Sequence, residues 1–216
     1  AAYVVTGSVK QACLEASTSP AVKKALSQAA APDVMMAPSA DMFEMGVKVQ
    51  VLKRGTMFPM RSQKLYETYL AYSGIDSIPA PEREDLEEKI FQDNLDSIWN
   101  ECVKFFTDRD PQQLIKAQDN PKRKMALIFR WYLGLATHWG IQGIPERALD
   151  YQIWCGPSMG AFNDWSRGTF LERPENRHVV AVADELMLGA AYLLRLNKLA
   201  LQGIAVPTTW ERYREI

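Results

Sequence analysis

Thr6-Gly7-Ser8 follows a short apolar run and precedes a helical pattern. A helix N-terminus offers backbone N–H groups that lack intrahelical acceptors, together with the positive end of the helix dipole. Glycine lets an anion approach the backbone, so the chemistry open to this turn is to hold a phosphate. A plain turn with a serine cap explains the same three residues. The second candidate is Lys122-Arg123-Lys124, three cations at a helix start. That placement opposes the dipole, so an acidic group elsewhere is expected to offset it. A solvated face is one reading, and a landing patch for an acidic carrier protein is the other. Lys53, Arg54 and Arg61, around the stretch GTMFPM, form a second basic set open to the same two readings.

Nucleophiles and acid–base groups are sparse. His138 and His178 are the only histidines. His138 falls near the end of an aromatic helix, where a dipole contact or a core hydrogen bond accounts for it, and His178 falls in the first turn of the last helix. Neither has an oriented partner in the sequence, which general acid–base catalysis needs. Cys155, in WCGPSMG, is a conceivable nucleophile beside glycine-rich backbone. Cys13, Cys102 and Cys155 are odd in number and widely spaced, so buried small hydrophobes in a reducing cytoplasm are expected rather than disulfides or a metal site. Met35, Met36, Met42, Met45, Met57 and Met60 crowd a short span. They read either as adaptable core filler or as a deformable apolar tunnel for a flexible acyl chain.

The elements that must position these groups are unevenly distributed. Ala1–Val5 reads as a buried strand and Ser8–Ala16 as a helix; Ser19-Pro20 caps a second helix to about Ala30. Asp33–Pro38 and Val47–Arg54 read as strands, the second alternating Val47, Val49, Val51 against Lys48, Gln50, Leu52 as in a half-buried antiparallel pair. SADMFEMG between them reads as a loop. Helices are expected over Pro59–Ser73 (closed by Gly74), Pro81–Phe91 (charged and exposed), Asp93–Thr107, from Asp110-Pro111, over Pro121–His138 and over Pro174–Gln202, with a glycine-containing segment before the last. A lone strand cannot satisfy its own backbone, so Ala1–Val5 is expected to belong to a sheet or barrel continued outside this sequence.

Length and composition bound the rest. The chain has 216 residues and a formal charge of −1, with 47% hydrophobic residues. That is an ordinary globular composition. It argues against a nucleic-acid surface spread over the whole chain, and no run is apolar enough for a membrane span.

Several stretches together resemble one family. VVTGSVKQACLEASTS, ADMFEMGVKVQVLKRGTMFPMRSQKLYE, PKRKMALIFRWYLGL, DYQIWCGPSMGAFNDW and NRHVVAVADELMLGAAYLLRL look like the C-terminal part of the trans-acting flavin enoyl reductases of bacterial polyunsaturated fatty acid synthases and trans-acyltransferase polyketide synthases. More distantly, the start is similar to the end of the barrel in the FMN-dependent bacterial enoyl-acyl-carrier-protein reductase and in nitronate monooxygenase. The resemblance implies an α/β fold, a (β/α)8 TIM-barrel flavoprotein, present here as its last βα unit, a small hairpin and a helical cap. Residues 1–55 would be the end of the barrel with the hairpin, and 56–216 the helical subdomain. It implies that Thr6, Gly7 and Ser8, with Gln11 one turn on, hold the FMN phosphate. It further implies hydride flow from NADPH or NADH through FMN to a carrier-bound 2-enoyl thioester in the cytoplasm. The partners implied are an acyl carrier protein, at Lys122, Arg123 and Lys124, the remaining barrel segment of the same protein, and a second copy as one option. This piece alone is expected to be inactive. A non-catalytic helical module that docks a carrier protein is the competing reading.

Overall fold

Proline and polar caps set most of the starts in the computed structural model, which describes residues 6–207 and 209. The elements are α1 (Gly7–Gln11), α2 (Pro20–Ser27), β1 (Val34–Pro38), β2 (Lys48–Leu52), α3 (Phe58–Ala71) and α4 (Ala80–Leu86). A π-helical turn, Glu87–Phe91, continues α4; then come α5 (Leu95–Arg109), α6 (Pro111–Gln118), α7 (Pro121–Gln142), α8 (Ser158–Ser166) and α9 (Val179–Leu201). Ser19 Oγ accepts from Val22 N–H, and Asn120 Oδ1 accepts from Arg123 N–H at 2.9 Å, so both expected caps form. Asp110 starts α6 without capping it; its carboxylate accepts from the Gln113 side chain instead.

The chain divides into two compact units, Val34–Trp154 and the described parts of Ala1–Asp33 with Cys155–Ile216. The division expected at residue 55 therefore falls inside the first of these. The physical reason is that the hairpin packs on α3, so β1 and β2 belong with the helices that follow them.

Within Val34–Trp154, β1 and β2 pair antiparallel from Val34↔Leu52 to Pro38↔Lys48. The half-buried alternation holds only for the first part of β2. Val51 and Leu52 are both buried, because Leu52 N–H donates to Ile153 O at 2.8 Å and Trp154 bridges Val51 on the other edge. Helix α7 is the centre of this unit. Met125, Ala126, Leu127, Ile128 and Phe129 are buried in succession, the mark of a helix covered all round. The segment read as a charged, exposed helix buries Leu86, Ile90 and Phe91, and its end widens into the π-turn. Gly74 does not close α3 by a left-handed turn, since its φ is 177° and extended. It is needed because Pro121 approaches so closely that a Cβ would lie 2.6 Å from Pro121 Cβ.

The other unit is built from α1, α2, α8 and α9. Helix α1 ends at Gln11 rather than near Ala16, since Leu14 N–H leaves the helical pattern to donate to Arg177 O. Helix α8 lies in the segment read only as glycine-containing. Its Gly160 sits directly on the Ala30–Ala31 backbone, where any side chain would overlap. The last helix starts at Val179, not Pro174, because Arg177 turns inward to donate to Leu171 O and Asn163 Oδ1. Among the described residues the fold is helical with one two-stranded sheet. The strand expected at Ala1–Val5 lies outside them, and no described helix is long and apolar enough to cross a membrane.

Candidate functional site

The turn at Thr6-Gly7-Ser8 forms as the sequence predicts in one respect: α1 begins at Gly7, directly after Thr6. The first N–H groups of a helix have no intrahelical acceptor, and the Thr6 side chain does not cap them. A Cβ built on Gly7 meets no atom within 4 Å, so the approach to this backbone is open. Ser8 Oγ accepts from Gly156 N–H at 3.0 Å, which orients the hydroxyl and leaves its own hydrogen to donate. These are the donors a phosphate requires. With only five residues, α1 adds little dipole, so the backbone N–H groups matter more than the helix. Gln11 sits half-buried, its carbonyl accepting from Thr18 Oγ1 at 2.8 Å. Lys10, next to the turn, donates to Val179 O at 3.2 Å and so ties α1 to the start of α9.

The three cations at the start of α7 prove to have different tasks. Lys122 Nζ donates to Tyr69 O and to Tyr72 O, the latter at 2.5 Å, and sits 4.2 Å from the centre of the Tyr69 ring. It thereby satisfies the last carbonyls of α3, and loss of hydration lowers its pKa. Arg123 pairs with Glu44 and with the Gln113 side chain. Glu44 is the offsetting acid that the dipole argument requires, 79 residues away in sequence and invisible to local pattern. Lys124 lines a cleft: its ammonium lies 5.2 Å from the Trp99 ring, and the shallow space of about 420 Å³ is also lined with Val103, Leu114, Ile115 and Gln118.

The second basic set also separates. Lys53 and Arg54 are exposed, whereas Arg61 is committed to Asp150. Asp150 is fully buried; it accepts from Tyr132 Oη at 2.7 Å and from Arg147 at 3.1 Å. Burial, with the Asp150 charge next, pushes the Tyr132 hydroxyl pKa far up, so it stays protonated and donates. Arg147 also donates to Ile90 O and Phe91 O, closing the carbonyls of the π-turn. Sequence reasoning missed this network because its members lie on four separate elements.

Its surroundings disfavour Cys155 as a nucleophile. It is buried, and burial pushes its thiol up to about 11, with Asp33 adding to the effect. Cys13 and Cys102 are likewise buried thiols, as the hydrophobe reading expects. Of the six methionines, Met36, Met42, Met45, Met57 and Met60 are each at least 44% exposed and Met35 is half-buried, so among the described residues they form surface rather than core filler. His138 is exposed on α7; His178 Nδ1 lies 3.0 Å from Glu15 Oε1, at the start of α9 rather than in its first turn.

Comparison with known proteins places these features in context. A family model described as the inserted helical domain of [acyl-carrier-protein] S-malonyltransferase matches residues 72–151, inside the Val34–Trp154 unit. A polyunsaturated fatty acid synthase subunit of Thraustochytrium is 50% identical over 204 residues, covering 92% of this chain and 14% of that protein. Polyketide biosynthesis protein PksE of Bacillus subtilis is 44% identical over 192 residues, covering 89% of this chain and 25% of that protein. The solved enoyl reductase domain of MlnA, from the macrolactin biosynthesis cluster of Bacillus amyloliquefaciens, superposes with a TM-score of 0.83 at 39% identity, covering 90% of this chain and 44% of that one. The chain thus spans a quarter or less of the length of these curated relatives, and under half of the solved domain.

Proposed function

We propose that the chain is the C-terminal part of an FMN-dependent enoyl reductase that reduces carrier-bound 2-enoyl thioesters with NADPH or NADH, in polyunsaturated fatty acid or polyketide synthesis in the cytoplasm. The observation that carries this reading is the likeness to the MlnA enoyl reductase domain over 90% of the chain. The barrel expected from the resemblance would be completed by segments beyond this sequence. FMN, held at its phosphate by the Thr6-Gly7-Ser8 turn, would supply the hydride-transfer chemistry between the nicotinamide and the β-carbon of the enoyl thioester.

The role of this chain's residues is to hold the phosphate end of that cofactor. Backbone N–H groups of Gly7 and Ser8 face an open approach, and the Ser8 hydroxyl, fixed by Gly156, adds a donor. Thr6 shapes the turn, and Gln11 stands one helical turn further on. Lys10 is held by the Val179 carbonyl, so charge neutralisation of the phosphate falls to groups elsewhere.

A second reading concerns the Val34–Trp154 unit and is favoured by the match of residues 72–151 to a helical insert of an acyl-carrier-protein transferase. On this reading the unit docks the carrier. Lys122 and Arg123 are spent on internal contacts, so of the three cations Lys124, beside the apolar cleft, is the one placed to meet an acidic carrier.

The test uses the longest reading frame that contains this chain. Purified protein should carry flavin absorbance and oxidise a nicotinamide nucleotide only when a 2-enoyl thioester is present. Gly7→Val should lower FMN retention with an unchanged circular dichroism spectrum, since a Cβ at this position meets no atom within 4 Å. Colourless protein that ignores added FMN refutes the flavin reading. Carrier affinity that is indifferent to Lys124→Glu refutes the docking reading.

A further inference from the structure

The cleft beside Lys124 is built by three successive helices of one unit, so it needs no other segment to form. Trp99 and Val103, one turn apart on α5, line one side, and Leu114, Ile115 and Gln118 on α6 line another. Only Asp119 and Asn120 separate α6 from α7, and the Asn120 cap fixes the first turn of α7. Lys124, in that turn, is thereby brought to the cleft beside Trp99. The cleft volume of about 420 Å³ lies within the range of about 300–1,000 Å³ that holds small ligands.

The chemistry of the lining selects the ligand. Trp99, Val103, Leu114 and Ile115 offer apolar surface, and Ile115 is left 60% exposed. Among the described residues the Lys124 ammonium makes no ion pair and no hydrogen bond; its one contact is with the indole. Lys124 is also the one cation in the lining, and the Gln118 amide is the polar group beside it. A single ammonium balances a single negative charge and leaves a dianion half-compensated. A monoanion with an apolar tail therefore fits better than a phosphate. A large acidic surface fits less well, because the exposed charges of α5 and α6 balance: Asp96, Glu101 and Asp108 stand against Lys104, Arg109 and Lys116. No excess of positive charge on these helices draws such a surface in.

We propose that this cleft binds an aliphatic monocarboxylate. Its carboxylate sits on the Lys124 ammonium and the Gln118 amide, and its chain lies between α5 and α6 against Val103, Leu114 and Ile115. The proposal is independent of the enoyl reductase reading, and it gives Lys124 a different occupant from an acidic carrier.

Titration calorimetry of the full 216-residue chain with octanoate, decanoate and dodecanoate, over roughly 0.05 to 5 mM, tests it. Saturable binding at one site is expected. Affinity should rise about twofold per methylene, less than full burial gives, since the cleft is open to solvent. Decylammonium should bind more weakly than decanoate. Lys124→Met should lower decanoate affinity about fivefold while leaving decanol unaffected, and Lys124→Arg should restore it. Ile115→Asp changes an exposed position; it should weaken decanoate and decanol alike with an unchanged circular dichroism spectrum. Absence of saturable binding overturns the proposal. So does decanoate affinity indifferent to Lys124→Met, or equal to that of decylammonium. A chain that binds an acidic carrier through Lys124 but takes up no carboxylate also overturns it, and the cleft is then a protein-docking surface.

Discussion

The two units hold themselves together by different means. The Val34–Trp154 unit has a core of large rings: Phe43 edge-on to Phe129 at 6.3 Å and to Tyr66 at 5.4 Å, Phe58 stacked on Tyr132 at 6.2 Å, and Phe91 stacked on Phe129 at 6.0 Å. Its buried polar atoms converge on one carboxylate, Asp150. The other unit buries smaller residues, Val9, Ala12, Cys13, Val22, Leu26 and Ala29, and is fastened by side chains that reach backbone carbonyls. Asn163 holds Leu26 O and Ala29 O, Arg177 holds Leu171 O, and Lys10 holds Val179 O. The same unit leaves one face of α9 uncovered. An unbroken stretch of chain makes a core closed on itself, whereas two distant segments make a smaller core whose stability rests on backbone contacts and on whatever covers α9.

The largest effect is expected where the closed core keeps its charge. Asp150→Ala leaves the Arg61 and Arg147 guanidinium groups and the Tyr132 hydroxyl without their common partner. Breaking a buried charge network in this way costs about 3–5 kcal/mol. Urea unfolding followed by tryptophan fluorescence should show the loss, because Trp99, Trp131 and Trp139 lie in this unit and pack on its core. Hydrogen exchange in α8 and α9 should change less than in α7. Equal losses in both units would erase the distinction between them.

Gly160→Ala probes the other unit. The new methyl group meets the Ala30 and Ala31 backbone, which has no rotamer through which to yield. Overpacking of this kind costs about 1–3 kcal/mol. Faster exchange in α2 and α8, with α7 unaffected, is the outcome that keeps the comparison; a neutral substitution would mean that the α8 contact is softer than its geometry.

How much of this was legible in the sequence follows the same division. Ser19-Pro20 and Asn120-Pro121 signal their helices within a few residues, and the hairpin announces itself by alternation, so these needed only local rules. Glu44 beneath Arg123, Ile153 on the edge of β2 and Arg177 within its unit depend on partners far along the chain, and no local signal marks them. Helix α8 was hidden in a segment read only as glycine-containing, although Gly160 is there for close contact. At the candidate site the turn residues Thr6, Gly7 and Ser8 were legible, but the part Gly156 plays in orienting Ser8 was not. The cationic run was visible as charge and opaque as function, since only the fold separates Lys124 from its two committed neighbours.

The smallest effect distinguishes the units by acid. Each contains, among its described residues, a carboxylate whose pKa lies below the ordinary glutamate value. Glu15 is lowered first by its hydrogen bond with His178 and then by the Val179 N–H, which it accepts at 2.8 Å to cap α9. Glu82 is lowered first by Lys64 at 2.5 Å and then by the Tyr72 hydroxyl at 2.7 Å, within the Val34–Trp154 unit. A carboxylate depressed in the folded state adds stability above its unfolded pKa of about 4.3, and the gain disappears as pH falls through the folded value. Both units should therefore weaken on acidification below about pH 4. Glu15→Gln should remove that pH dependence from exchange in α9 and leave α3 unchanged, while Glu82→Gln should do the reverse. If either variant flattened the acid response of both helices, the two units would be unfolding as one, and their contrast would describe composition alone.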